Sequence, residues 1–185
     1  MKIVVLDRDG VINADSTAYI KSADEWIPIP GSIHAIASLC KAGYTVCVAS
    51  NQSGIGRGLF DTDALSAIHN KLCVAVEEAG GEVAGIFYCP HLPADRCECR
   101  KPGVGLLQQI EAEFHCSLSS ASFIGDSLKD VQAALTFGCT PMLVRTGKGL
   151  QTETELRELQ LEAVAVFDDL AAAAKHILAV SSQGR

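Results

Sequence analysis

Apolar runs of strand length alternate with segments of helical period along almost the whole chain, and this alternation restricts the fold more than any other feature. "KIVVL" (2–6), "YTVCVAS" (44–50), "VAGIFYC" (83–89), "ASFIGD" (121–126), "PMLVR" (141–145) and "AVAVF" (163–167) read as strands. Helical spacing intervenes each time. It covers 32–43, with Ile33, Ile36, Ala37 and Cys40 on one face and Gly43 past its end, and then about Thr62 to Ala79, with Leu65, Ile68, Leu72 and Val76 on a stripe. Further helices are predicted over 104–115, up to about Phe137 with Leu128, Val131 and Leu135 in register, near 153–161 and over 168–179. Strands alternating with helices this regularly pair in parallel, with helices on both faces. The expected fold is therefore a doubly wound, Rossmann-like α/β sheet. No repeat or linker divides residues 1–185, so one domain is expected.

In such a sheet, ligands bind beyond the carboxyl ends of the strands, near the switch in strand order. The polar clusters of this chain fall there: "DRDG" after the first strand, "SNQSG" after the second, "CPH" after the third and "GDSLKD" after the fourth. Asp7 and Asp9, one residue apart at the end of a buried strand, repel each other and lose hydration, so a metal ion or a reaction must offset the penalty. Asp7 is the candidate nucleophile, since a carboxylate can attack phosphorus and split hydrolysis into two easier steps. Attack on an anionic phosphate calls for a hard divalent ion with oxygen ligands, usually Mg²⁺. Asp9 can protonate the leaving oxygen and later activate water. Standing alone, D-x-D-G could equally be a pair of solvated turn aspartates.

The other segments supply what such a reaction needs. Ser50 and Asn51 can hydrogen-bond phosphoryl oxygens, and the Gly-rich continuation 52–58 offers backbone N–H groups, although a capped turn would look the same. Asp126 can complete a carboxylate shell for the metal. Asp130, one helical turn on, can orient Lys101, a neighbouring amide or a metal-bound water, or the pair can simply cap a helix. Lys101 suits the transferring phosphoryl group and would hold Asp7 ionised, and Arg100 suits a second anionic or polyhydroxyl part of a substrate.

Eight cysteines in a chain with no signal-peptide core and no apolar run of membrane length point to a reducing, cytoplasmic setting rather than to disulfides. Cys40, Cys47, Cys73, Cys116 and Cys139 sit singly in apolar patterns and are expected to be small core residues. Cys89, His91, Cys97 and Cys99 instead form C-x-H-x₅-C-x-C, a full tetrahedral Zn²⁺ shell with no open position, so the loop 89–101 is expected to hold a structural zinc. The net charge of −7 argues against affinity for a nucleic-acid backbone.

Together, D-R-D-G, S-N-Q-S-G, the Lys101 segment and G-D-S-x-x-D, in this order, resemble the haloacid dehalogenase (HAD) superfamily of phosphatases. The zinc loop narrows the resemblance to the branch that holds histidinol-phosphate phosphatases and heptose 1,7-bisphosphate 7-phosphatases. "NQSGIGRG" and "LVRTGKG" are similar to the heptose enzymes, whereas the short "CPHLPADRCECRKP" loop is also similar to the histidinol-phosphate enzymes. The resemblance implies a Mg²⁺-dependent phosphatase with Asp7 as nucleophile and Asp9 as general acid/base. Mg²⁺ would sit on Asp7, the Asp9 carbonyl and Asp126. Ser50 and Lys101 would steady the phosphoryl group, with Arg100 recognising substrate.

By the same resemblance, Asp15, Ser16, Thr17 and Ala18, with the turn Ser50, Asn51, Gln52 and Ser53, would line the substrate site, although "DSTA" departs from the D-x-G-Y of some members. The segment between Asp9 and the first helix is too short for a cap domain, so none is expected, and a monomer acting on a small phosphosugar without nucleic-acid or membrane partners is the implied setting. The implied reaction removes the 7-phosphate of heptose 1,7-bisphosphate on the route to nucleotide-activated heptose for lipopolysaccharide, and histidinol phosphate is the alternative substrate. A phospho-acceptor signalling domain would also have an acidic Mg²⁺ pocket but would lack an acid at the position of Asp9.

Overall fold

A computed structural model describes residues 1–183. Six parallel strands, β1 (Lys2–Leu6), β2 (Tyr44–Asn51), β3 (Gly85–Cys89), β4 (Ser122–Gly125), β5 (Thr140–Val144) and β6 (Ala165–Phe167), form one sheet in the order β3-β2-β1-β4-β5-β6. The order reverses between β1 and β4, so the doubly wound expectation holds and the switch point falls between the strands that carry Asp7 and Asp126.

The strands read as unbroken apolar runs because both faces of the sheet are covered. Val4 and Leu6 of β1, with Val46 and Val48 of β2, pack against α1 (Ser32–Lys41), α3 (Thr62–Glu78) and α7 (Leu170–Gln183). The alternate residues Ile3, Val5, Cys47 and Ala49 face α4 (Gly105–Phe114) and α5 (Leu128–Phe137), where Leu106, Leu107, Ile110 and Ala133 close the second core. The long connection from β1 to α1 is a folded loop. Val11, Ile12, Ile20 and Trp26 are buried in the first core, and the Ile29 and Ala14 N–H groups donate to the Ile12 and Ile27 carbonyls, both at 2.9 Å. Among the described residues no separate unit lies over the carboxyl edge. Among the described residues no helix is long and apolar enough to cross a membrane.

Four local expectations are corrected. After β2 the chain first makes a single turn of helix, α2 (Ser53–Gly56), too short to show a period in the sequence. The sixth helix, α6, is Gly149–Glu158 rather than 153–161: Gly149 begins the helix because its backbone passes so close to the Val144 carbonyl that no side chain fits. Leu135 of α5 is 46% exposed, because the helix turns Ala133, Ala134 and Phe137 to the core instead. Cys47 and Cys139 are buried as expected, but Cys40, Cys73 and Cys116 are only half-buried at helix edges and in a turn.

Candidate active site

The carboxyl edge opens into a cavity of about 640 Å³ over the switch point, lined by residues of the "DRDG", "SNQSG" and "GDSLKD" segments and by Arg100 and Lys101, while "CPH" stays outside it. At its floor Lys101, 2% exposed, is held on three sides. Its Nζ lies 3.0 Å from Asp7 Oδ1 and 2.6 Å from Asp130 Oδ1, and it donates to the Ala49 carbonyl at 2.7 Å. Burial works against its charge, but Asp130 and Asp7 outweigh that and hold its pKa above the ordinary value. Asn51 fixes the lysine's backbone: its Nδ2 donates to the Lys101 carbonyl at 3.1 Å, and its Oδ1 accepts from the Lys101 N–H at 3.0 Å.

Asp7, Asp126 and Asp130 bring carboxylate oxygens within 4.8 Å of one another, all three being buried. Asp130 faces Lys101 and also closes the capping box of α5, accepting from Ser127 Oγ at 2.6 Å and the Ser127 N–H at 3.1 Å. Asp7 and Asp126 are therefore the two acids left for a cation. Burial lifts Asp7 to about 6 against the pull of Lys101, so without a cation Lys101 does not suffice to hold it at an ordinary carboxylate value. Burial, with Asp7 and Asp130 adding repulsion, lifts Asp126 to about 8 although it accepts the Lys148 N–H at 2.8 Å. A buried acid pair this short of positive charge suits a divalent cation. Gly10 and Gly147, at φ +80° and +59°, flank Asp126 so closely that a Cβ on either would collide with its Oδ2.

The Asp9 side chain is turned away from this group. Its Oδ1 accepts from Arg8 Nε at 3.0 Å and Asn13 Nδ2 at 2.9 Å, and its Oδ2 accepts from Arg8 Nη2 and Gln52 Nε2, both at 2.9 Å. Gln52 Nε2 also donates to Ser50 Oγ at 2.9 Å. Ser50, Asn51, Gln52 and Ser53 all line the cavity, as do Asp15, Ser16, Thr17 and Arg100. Ala18 does not. It sits exposed on a turn in which Ser16 Oγ accepts its N–H at 3.1 Å, and the next residue, Tyr19 at φ 64°, takes a place in the wall instead.

Beyond β3 the four soft donors converge. Cys89 Sγ lies 3.6 Å from both His91 Nδ1 and Cys97 Sγ and 3.3 Å from Cys99 Sγ. Cys99 Sγ is 3.5 Å from Cys97 Sγ and 3.3 Å from His91 Nδ1. A tetrahedron with metal–sulfur bonds near ~2.3 Å has edges of roughly 3.8 Å, so the donors stand at nearly the separations Zn²⁺ requires. Arg100 Nη1 donates to the His91 carbonyl at 3.3 Å, which ties this loop to the cavity wall.

Neither Arg8 nor Lys148 is assigned a role from the sequence, although Lys148 lies within "LVRTGKG". Arg8 is fully buried, although flanking acids make it read as a solvated charge. Lys148 lines the far wall, with its Nζ 2.9 Å from Asp15 Oδ2. Its place after the fifth strand, on the same sheet edge as the other segments, was the available clue. His69 of α3 packs edge-on to Tyr88 with ring centroids 5.7 Å apart; burial, reinforced by the Arg8 charge, lowers its pKa to about 4.

A family model described as "HAD-hyrolase-like" matches residues 98–173. The chain is 52% identical over 178 residues to the D-glycero-β-D-manno-heptose-1,7-bisphosphate 7-phosphatase of Pseudomonas putida, which covers 96% of this chain and 100% of the relative. It is 53% identical over 176 residues to the protein of the same name from Pseudomonas aeruginosa, covering 95% and 97%. The chain belongs to the heptose-1,7-bisphosphate 7-phosphatase family. The fold of that family is matched as well: the crystal structure of the D,D-heptose 1,7-bisphosphate phosphatase from B. bronchiseptica, complexed with magnesium and phosphate, superimposes with a TM-score of 0.89 at 49% identity, covering 96% of this chain and 98% of that one. Histidinol-phosphate hydrolysis is not the activity these relatives carry in their names.

Proposed function

We propose that this chain is a magnesium-dependent phosphatase that hydrolyses the C7 phosphate of D-glycero-D-manno-heptose 1,7-bisphosphate, in the β form of its relatives' names, on the route to nucleotide-activated heptose. Family membership supports the substrate. The chemistry rests on one observation, the buried Asp7–Lys101–Asp130 array beside Ser50 at the switch point.

Asp7, Asp126 and the main-chain carbonyl of Asp9 are the groups to hold Mg²⁺, and the residues fit it, because the buried Asp7 shares its one cation, Lys101, with Asp130, and the buried Asp126 has no ion-pair partner among the described residues. Bound there, Mg²⁺ neutralises phosphate and carboxylate charge that would otherwise repel. Asp7 attacks phosphorus: an Asp7 O–P bond forms while the bond from phosphorus to the C7 oxygen breaks, and the protonated Asp9 delivers its proton to that oxygen. In the second half Asp9 takes a proton from water, the water oxygen bonds to phosphorus, and the Asp7 O–P bond breaks, returning Asp7 as carboxylate and releasing inorganic phosphate. Lys101 and Ser50 stabilise the charge that spreads over the phosphoryl oxygens. Arg100, at the rim, receives the remaining anionic end of the substrate.

Cys89, His91, Cys97 and Cys99 hold a structural Zn²⁺ in this reading, and their free thiols suit a reducing, cytoplasmic setting. A monomer is the state proposed.

The test is phosphate release from heptose 1,7-bisphosphate and from histidinol phosphate with Mg²⁺ present. The bisphosphate should be turned over with the 1-phosphate retained, by phosphorus NMR, and Asp7→Asn should fold but release nothing. Preference for histidinol phosphate would reject the substrate, and residual turnover by Asp7→Asn would reject the nucleophile.

A further inference from the structure

Of all the polar groups near the cavity, Arg8 is the least accounted for by folding. It is fully buried, one of its guanidinium nitrogens, Nη1, has no hydrogen-bond partner among the described residues, and its next neighbour is the candidate acid/base. A buried guanidinium with an orphaned donor is an expense that packing alone would not retain. Its fork closes on both oxygens of Asp9, which fixes the plane of that carboxylate more tightly than a point charge would.

The remaining donors to Asp9 differ from each other. Asn13 is completely buried and doubly committed, donating to Asp9 Oδ1 and to the Ala14 carbonyl, both at 2.9 Å. Gln52 lines the cavity, and its single amide nitrogen is shared between Asp9 Oδ2 and Ser50 Oγ, while its Oε1 accepts from Arg8 Nη2 at 3.1 Å. An ionised carboxylate has about four lone-pair sites, and four donors fill them, so Asp9 cannot take a proton until one donor lets go. Oδ1 is bound on its second side by a residue sealed in the core. Oδ2 is bound there by a residue at the cavity surface that also touches the phosphoryl-binding serine.

From this network we infer that Arg8 and Gln52 are positioning residues for the acid/base step: Arg8 fixes the carboxylate of Asp9, and Gln52 releases Oδ2 when a phosphoryl group engages Ser50. Oδ2 is then the oxygen that carries the proton. It yields the proton to the leaving oxygen as the ester P–O bond breaks and the Asp7 O–P bond forms. It takes one from water as the water O–P bond forms and the Asp7 O–P bond breaks. The inference rests on the reading of Asp9 as acid/base given above.

The experiment compares Arg8→Lys, Gln52→Met and Asp9→Asn with the native protein on an alkyl phosphate and on aryl phosphates of falling leaving-group pKa. An activated ester needs no proton, so loss of positioning should show as a steeper dependence on the leaving group. Arg8→Lys should lose about 30- to 100-fold in kcat on the alkyl ester, below the ~10²–10⁴ that general acid catalysis supplies, because the acid itself is retained. It should keep KM, and release of dinitrophenol in the first turnover should stay near native. Gln52→Met should shift in the same direction by less, and carries the test if Arg8→Lys does not fold. An equal loss on every ester, or native kinetics in a folded variant, would overturn the inference. If Asp9→Asn itself shows no leaving-group selectivity, it is the acid/base reading that fails. If Asp9→Asn is selective and both other variants are not, only the positioning role falls.

Discussion

Withholding Mg²⁺ should make the protein's stability fall as the pH rises, an unusual sign for a carboxylate. Asp126 is 2% exposed, and burial, with Asp7 and Asp130 beside it, raises its pKa from 3.8 to about 8. The folded state therefore binds more protons than the unfolded one between those values, and stability declines with pH across that interval. Asp7, lifted to about 6, acts in the same direction but is spent below that pH. His69, lowered to about 4, acts in the opposite direction, and only below the ordinary histidine value of 6.5. The Cys97 thiol, lowered to about 7, would act in the opposite direction from pH 7 upward, so the window from pH 6.5 to 8 isolates Asp126 when that thiol is held on a metal. At ~1.4 kcal/mol per unit, 1.5 units amount to about 2 kcal/mol, or roughly 4–8 °C in Tm for a chain of this length. Thermal melts of magnesium-free protein would read it, prepared by gel filtration rather than with chelator so that a metal on the Cys/His cluster is retained. Mg²⁺, which binds only the ionised acids, should raise Tm more at pH 8 than at pH 6.5, and Asp126→Asn should flatten both effects. A magnesium-free Tm that holds or rises over this window, with Asp126 intact, would refute the placement of an uncompensated acid there.

Three further outcomes follow from the same geometry. Arg100→Ala should lose about 1.5–3 kcal/mol, roughly ten- to more than a hundredfold in kcat/KM, on the bisphosphate and far less on a simple aryl phosphate; equal losses would assign it to the common phosphoryl group. Cys97→Ser and Cys99→Ser should each lower zinc content by elemental analysis and lower Tm, with activity falling as Arg100 loses the His91 carbonyl that holds it; full zinc occupancy in both would break the four-ligand assignment. Gly10→Ala places a methyl against Asp126 Oδ2 at positive φ, so Mg²⁺ affinity by calorimetry should drop at least about tenfold, with ~1–2 kcal/mol of backbone strain in addition; native affinity would show that the Asp126 carboxylate has room to move.

The sheet was legible because both of its faces are buried, so strands such as β1 stand out as unbroken apolar runs and end visibly where charge begins. Asp7, Asp126 and Lys101 were legible for the same reason, being ionisable groups placed where an apolar strand or a proline-bounded loop stops. Arg8 was not, because an arginine between two aspartates looks like a solvated charge until the fold shows it bridging Asp9 to Gln52. Tyr19 and Lys148 escaped because their roles come from loop geometry, a left-handed turn in one case and the launch of α6 in the other. Asn51 was read as a phosphate ligand, and the structure adds that its amide grips the Lys101 backbone across the sheet edge, a contact between residues far apart in sequence. Neither α2 nor the true start of α6 could be seen, since a single turn has no period and a leading glycine reads as a break.

Every segment given a chemical role leaves a strand at its carboxyl end, while the returns from helix to strand near 42–43, 79–84, 115–121 and 138–139 all lie on the opposite rim. The molecule therefore divides into a rim where sequence is constrained by reactivity and a rim constrained only by chain reversal. Loop exchange, insertion of a reporter or circular permutation at the second rim should leave turnover intact, so the protein offers a scaffold in which connectivity can be redesigned independently of chemistry.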